Sequence, residues 1–249
     1  MLALTNIGFR VNGHAIITDV TLTASYGEIV ALIGPNGSGK TTLFNVINGF
    51  LRHTSGNIAI AGTRADNLTV EQRIALGVGR LWQDVRIFQK MSCLENLVVA
   101  VKNSPGEALW RAFVQPKKIK LAEKEAIDKA EQYLKLTGLI EKRNIEAENL
   151  SYGQQKLLAM CRLFMNDATI LLLDEPYAGV SSVLFDRISA LIEKMRKLNQ
   201  CILIIEHNIA LVQWVSQRMY AFDEGRIIAE GTPREVMGSI EVKEAYAGV

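Results

Sequence analysis

The 249-residue chain has no apolar run near the ~18–20 residues of a membrane span, and its amino terminus lacks a signal-peptide pattern. These absences predict a soluble, intracellular protein. Cysteine is scarce. Cys93, Cys161 and Cys201 are scattered and set in apolar surroundings, which excludes a disulfide framework and predicts core thiols in a reducing compartment. A surplus of charge is missing too: 28 Lys and Arg face 26 Asp and Glu, a net charge of +2 with neutral His, so composition argues neither for nor against nucleic acid. No internal repeat or linker is visible, and the length suits one large α/β domain or two small ones.

What is present is a succession of strand and helix patterns. "LALTNIGFRV" and "AIITDVTLTA" alternate around Asn12-Gly13, a hairpin signal. "EIVALI" (28–33), "TILLLDEP" (169–176) and "CILIIEH" (201–207) contain the continuous apolar runs of strands buried on both faces. Further strands are predicted at 57–61 and 77–83, a hairpin at Asp223-Glu224-Gly225, and helices over 40–50 and 184–198. Thr232-Pro233-Arg234-Glu235 opens a last helix with a capping box. From 84 to 160 the texture is helical. There Ile127, Ala130, Leu134 and Thr137 share a face, Glu125–Lys129 and Glu131–Lys135 are favourable i,i+4 pairs, and Lys117, Lys118 and Lys120 form a solvated basic cluster. The expected fold is a mostly parallel α/β core, residues 1–83 and 161–249, with an antiparallel β flank and an inserted α-helical subdomain at 84–160.

"GPNGSGKTT" (34–42) sits between a predicted strand and helix, as a phosphate loop requires. Gly34, Pro35, Asn36, Gly37, Ser38 and Gly39 would turn backbone N–H groups toward an anion. Lys40 would lie against the β- and γ-phosphates, the Thr41 hydroxyl would ligate Mg²⁺, and Thr42 completes the motif. The alternative is a glycine-rich turn that merely caps a helix. "LLLDEP" delivers Asp174 to the carboxyl end of a strand, where α/β sheets bind ligands. Asp174 would hold Mg²⁺ through water, and Glu175 would polarise the attacking water. Taken alone, Asp-Glu-Pro is an ordinary acidic turn. Gln83 and His207 end predicted strands on the same edge; Gln83 could touch the metal or the water, and His207 could donate to the γ-phosphate. "LSYGQQKLLAM" (150–160) opens a helix with Ser151 and Gln154 spaced as a capping box, although helix amino termini also bind anions.

In that order these motifs resemble the ATP-binding-cassette ATPases along essentially the whole chain. The resemblance implies a RecA-like P-loop NTPase core, ATP and Mg²⁺ as ligands, and a second, facing ATPase subunit, identical or related. Ser151, Gly153 and Gln154 would bind the γ-phosphate held on the partner's phosphate loop, and the helix start remains capped while it does so. Separate transmembrane permease subunits are expected, with the chain on the cytoplasmic face of the membrane and no nucleic-acid partner.

"LWQDVRIFQKMSCLENLVVA", "LSYGQQKLLAM" with Tyr152 in place of the commoner glycine, and "IEHNIALV" look like the ATPases of importers for branched-chain and other hydrophobic amino acids. Urea or amide importers and lipopolysaccharide export share much of this wording. A regulatory cassette with little hydrolysis is a further alternative. Three positions depart from the pattern: Val11 where an aromatic residue stacks on adenine, with Phe9 two residues back as its substitute; Ser181 where an aspartate or asparagine is common; and the bulky Tyr177.

Overall fold

Three uninterrupted apolar runs set the architecture. In the computed structural model, which describes residues 1–101 and 116–247 apart from the side chains of 116–119, they form β3 (Ile29–Ile33), β7 (Ile170–Asp174) and β8 (Cys201–Ile205), buried at every position. β3 shows why both faces must be apolar: Val30 and Leu32 enter one core with Leu43, Phe44 and Phe222, while Ala31 and Ile33 enter another with Val212, Met219 and Val236. β3 lies parallel to β8 on one side and to β9 (Arg218–Asp223) on the other, and β7 lies parallel to β8. The full order of this six-stranded sheet is β10-β9-β3-β8-β7-β6, with β6 (Val78–Leu81) at one edge and β10 (Arg226–Gly231), antiparallel to β9, at the other.

β1 (Leu2–Val11), β2 (His14–Ala24), β4 (Ser55–Ile60) and β5 (Thr63–Arg64) form the antiparallel flank, in the order β2-β1-β4-β5. Its first hairpin turns where the sequence predicts, with φ of 49° at Asn12 and 83° at Gly13, the two positive values of a type I′ turn. The β9–β10 hairpin repeats the device at Glu224 (41°) and Gly225 (77°). Register shifts on both sides of Phe9 break the simple alternation of β1. Phe9 therefore turns into the core at 8% exposure while Val11 stays 45% exposed. Phe9 is thus no substitute for an adenine-stacking aromatic at position 11, because its ring is already packed.

The described helices are α1 (Lys40–Asn48), α2 (Val70–Ala75), α3 (Cys93–Val98), α4 (Pro116–Leu136), α5 (Tyr152–Met165), α6 (Ser182–Lys197), α7 (Ile209–Val215), α8 (Pro233–Gly238) and α9 (Ile240–Ala247). Capping boxes open α5 and α8 as predicted, and also α2 (Thr69, Gln72) and α3 (Ser92, Glu95). Two compact units divide the chain. Met1–Arg80, Thr169–Pro176 and Lys194–Val249 hold the sheets, whereas Leu81–Ala168 and Tyr177–Glu193 are mainly helical.

In the helical unit, Ala130, Leu134 and Thr137 are buried and Gly138, at φ 67°, ends the α4 segment. The expected i,i+4 pairs on α4 are replaced by longer-range ones: Lys129 Nζ reaches Asp167 Oδ1 over 2.6 Å, and Glu131 pairs with Arg143. An exposed i,i+4 pair is worth only about 0.3–0.5 kcal/mol, so a tertiary neighbour readily captures the charge. Lys120 is exposed, while the Lys117 and Lys118 side chains lie outside the described residues. Among the described residues, no helix is long and apolar enough to cross a membrane.

Candidate functional site

In the sheet-bearing unit the loop from Gly34 to Gly39 leaves β3 and enters α1, with φ of 149°, 82° and 106° at Gly34, Gly37 and Gly39. These left-handed values suit glycine, and at Gly34 a Cβ would lie 1.9 Å from the Phe222 carbonyl oxygen. The β9–β10 turn closes on the loop, Gly225 N donating to the Ser38 carbonyl at 2.9 Å. Ser38 and Lys40 are buried, Thr42 is half-buried and Thr41 is exposed. Lys40 Nζ donates to the Gly34 and Pro35 carbonyls at 2.8 Å each and to Ser38 Oγ at 3.3 Å. Burial lowers its pKa, against the opposing charges of Glu175, Asp174 and Asp223.

Asp174 ends β7 and is 3% exposed. Its Oδ2 accepts from Arg80 Nη2 at 3.0 Å, and Arg80 Nη1 donates to Asn45 Oδ1 on α1 at 2.6 Å. Burial raises the Asp174 pKa; the Arg80 hydrogen bond and charge act against that. Glu175 has φ 49°, a strained value for a residue with a side chain, and its N–H is fixed to the Ile205 carbonyl at 3.0 Å. His207 Nε2 stands 3.0 Å from Glu175 Oε1. Strand-end geometry therefore brings Lys40, Asp174, Glu175 and His207 into one electrostatic neighbourhood, and it adds Arg80 and Asn45, which the sequence reading did not single out. A lone cation inside the strand pattern "GVGRLWQ" was the available signal, since a buried charge needs a partner.

The donor set fits the ligands the motif implies. Glycines at positive φ shape a loop beside a buried ammonium group, which suits phosphate. The Thr41 hydroxyl and Asp174 carboxylate are oxygen donors of the kind Mg²⁺ takes alongside phosphate oxygens.

The helical unit carries the other residues. Ser151 Oγ accepts from Gln154 N at 3.4 Å and Gln154 Oε1 accepts from Ser151 N at 3.2 Å, so the capping box is formed. Lys142 Nζ also reaches Gln154 Oε1, at 3.0 Å. A Cβ at Gly153 would meet Leu184 Cδ1 at 2.5 Å, so glycine lets α5 approach α6 closely. Gln83, exposed, lies two residues beyond β6, and its carbonyl accepts from the Tyr152 hydroxyl at 3.0 Å. Tyr177 is an internal anchor: its hydroxyl accepts from Ser189 Oγ at 3.2 Å and its ring lies 5.0 Å from that of Phe185. Ser181 is exposed, and its carbonyl accepts from Phe185 N in the first turn of α6.

Residues 17–178 match the family model described as ABC transporter. The chain is 37% identical over 249 residues to the high-affinity branched-chain amino acid transport ATP-binding protein LivG of Salmonella typhimurium, covering 100% of this chain and 98% of that protein. It is 34% identical, with the same coverage, to the branched-chain amino acid transport ATP-binding protein BraF of Pseudomonas aeruginosa. Among solved structures it resembles the ADP conformation of MJ1267, an ATP-binding cassette of an ABC transporter, with a TM-score of 0.83, 30% identity, and coverage of 100% of this chain and 99% of that one.

Proposed function

The chain belongs to the ABC transporter family, and from that premise we propose that it is the ATP-hydrolysing subunit of an importer for branched-chain or other hydrophobic amino acids. The hydrolytic part of the reading is carried by the cluster in which His207 stands 3.0 Å from Glu175 beside Asp174 and Lys40. The solute is supported by likeness to LivG and BraF, whose names give branched-chain amino acids as their cargo.

Lys40 would release its bonds to the Gly34 and Pro35 carbonyls in favour of phosphate oxygens, exchanging neutral acceptors for charged ones. Thr41 and Asp174 would hold Mg²⁺, which neutralises charge on the β- and γ-phosphates when bound. Glu175 takes the proton of the attacking water as its oxygen closes on the γ-phosphorus in line with the leaving β-phosphate oxygen. His207 holds the Glu175 carboxylate through Oε1 and leaves Oε2 for that water. Ser151 and Gly153 at the α5 amino terminus serve the nucleotide of a second ATPase subunit, where the helix dipole favours an anion. Separate membrane-spanning subunits receive the resulting motion through the segment after Gln83.

Steady-state ATPase measurements on the purified chain test the chemistry: Glu175→Gln is expected to cut turnover at least about a hundredfold, and wild-type turnover in that variant would overturn the assignment. Co-purification of the membrane subunits, followed by uptake of radiolabelled leucine in proteoliposomes, tests the solute.

A further inference from the structure

The last helix of the sheet-bearing unit ends against the first residue of the phosphate loop. α9 places Val242 and Tyr246, four residues apart and so on one face, against the core that holds Ile33, Met219 and Val236. Ile33 is the residue before Gly34, where β3 gives way to the loop.

The Tyr246 hydroxyl is left incomplete by this packing. Its oxygen is buried and, among the described residues, has no partner at full hydrogen-bond geometry. The group it faces is the Gly34 N–H. Burial raises the Tyr246 pKa above its ordinary 10.0, and the Gly34 N–H acts against that rise. The contact is a near miss, close enough to act on the phenol and too loose to be a formed bond. A buried phenol normally finds a partner, because an unmade bond forfeits the desolvation of both groups. Gly34 itself has little freedom. A Cβ there would lie 1.9 Å from the Phe222 carbonyl oxygen of β9, and its own carbonyl is held by Lys40 Nζ at 2.8 Å.

We propose that Tyr246 is a positioning residue for the phosphate loop, its hydroxyl accepting the Gly34 N–H once phosphate has drawn Lys40 off the Gly34 carbonyl. The inference rests on the nucleotide reading of the loop given above and adds the C-terminal helix as a second holder of that loop. In the free chain Lys40 fixes Gly34 and the hydroxyl contributes little. With phosphate bound, Lys40 turns to the phosphate oxygens, and the hydroxyl completes the bond it lacked. Nucleotide then tightens α9 by the factor with which the hydroxyl tightens nucleotide, as linkage requires.

Tyr246→Phe keeps the ring on the core and removes only the hydroxyl. Thermal unfolding, calorimetric titration with Mg·ADP and hydrogen–deuterium exchange on the full chain test the tie. Without nucleotide the variant is expected to melt at the same temperature as the unaltered chain or slightly higher, since an unpartnered buried hydroxyl does not stabilise. Its affinity for Mg·ADP should fall about two- to tenfold, the ratio a single hydrogen bond sustains. Mg·ADP should slow exchange over 240–247 in the unaltered chain, and by less in the variant in that same ratio. A variant that melts lower without nucleotide yet binds Mg·ADP as tightly would assign the hydroxyl to packing and overturn the proposal. Equal affinity and equal responses at 240–247, with the 34–42 amides protected in both chains, would overturn the tie while leaving nucleotide binding intact. Should the variant not fold, the unaltered chain still decides: protection at 34–42 with no change at 240–247 overturns the tie. No protection even at 34–42 would overturn the nucleotide reading, and the tie with it.

Discussion

Arg80 and Asp174 form an ion pair 3.0 Å long whose side chains are only 2% and 4% exposed. Two charges taken out of water depend on each other, and removing one strands the other. Arg80→Met is expected to cost about 3–5 kcal/mol in urea unfolding under metal-free conditions. Adding Asp174→Asn should recover part of that loss, a non-additivity that a double-mutant cycle reads directly. The pH dependence follows in sign. Burial raises the Asp174 pKa from its ordinary 3.8, so the native state holds its proton longer than the unfolded state does. This group's contribution to stability is therefore present below about pH 4 and is lost as pH rises through the raised value. Without Arg80 the loss should extend to higher pH, seen as a steeper fall of the urea midpoint.

Glu175 combines a left-handed backbone, φ 49°, with the carboxylate that faces His207. Left-handed φ costs an L-residue roughly 1–2 kcal/mol and costs glycine almost nothing. Glu175→Ala and Glu175→Gly both lack the carboxylate, so their difference isolates the backbone. The glycine variant is expected to be the more stable by about 1 kcal/mol in thermal unfolding, while both lose at least about a hundredfold in turnover. Equal stabilities would show that the strain is relieved elsewhere.

Within the phosphate loop the glycines differ in what they prevent. A Cβ at Gly34 would meet the Phe222 carbonyl at 1.9 Å, a backbone atom held in β9, whereas at Gly37 nothing lies within 4 Å. Gly37→Ala faces only its φ of 82°, a strain of about 1 kcal/mol. Gly34→Ala must move the loop itself. Binding of a fluorescent ATP analogue is expected to weaken more than about tenfold in Gly34→Ala, because N–H groups displaced by even an ångström lose their aim at an anion, and to weaken only slightly in Gly37→Ala.

The strands were legible because burial on both faces demands continuous apolar runs, as in "IVALI" and "CILII", and the hairpin because Asn12-Gly13 supplies two positive φ values cheaply. Other features depend on long-range contacts that no local pattern encodes. Phe9 points inward because β1 shifts register on both sides of it. Arg73, 2% exposed on α2, donates to the carbonyls of Val46, Ile47, Ala65 and Leu68, so a residue that looks like a solvated helix cation caps the end of α1. The Arg80–Asp174 pair joins positions 94 residues apart. At the site, the motifs pointed to Lys40, Asp174, Glu175 and His207 as candidates, while Arg80 and Asn45, bonded to each other and through Arg80 to Asp174, became visible only in three dimensions.

Cys201 offers a test of the core. It is fully buried on β8, its Sγ lies 3.3 Å from the Ala24 carbonyl, and burial pushes its pKa up from 9.0 to about 11. At pH 8 only about a thousandth of such a thiol is ionised, so native protein should resist a disulfide reagent that labels it rapidly in urea. Linkage makes a second demand. Between about pH 9 and 11 the unfolded thiol releases its proton while the native one keeps it, so stability is intact below 9 and falls as pH rises through that window. Two pH units for one proton amount to about 2–3 kcal/mol. Cys201→Ala removes the titrating group and should flatten this part of the alkaline decline, even though its cavity lowers stability near neutrality. Urea midpoints of the two proteins at pH 8.5 and 10.5 decide the matter: the gap between them is expected to close at the higher pH, and a constant gap would place the Cys201 thiol in a wetter environment than a fully buried strand allows.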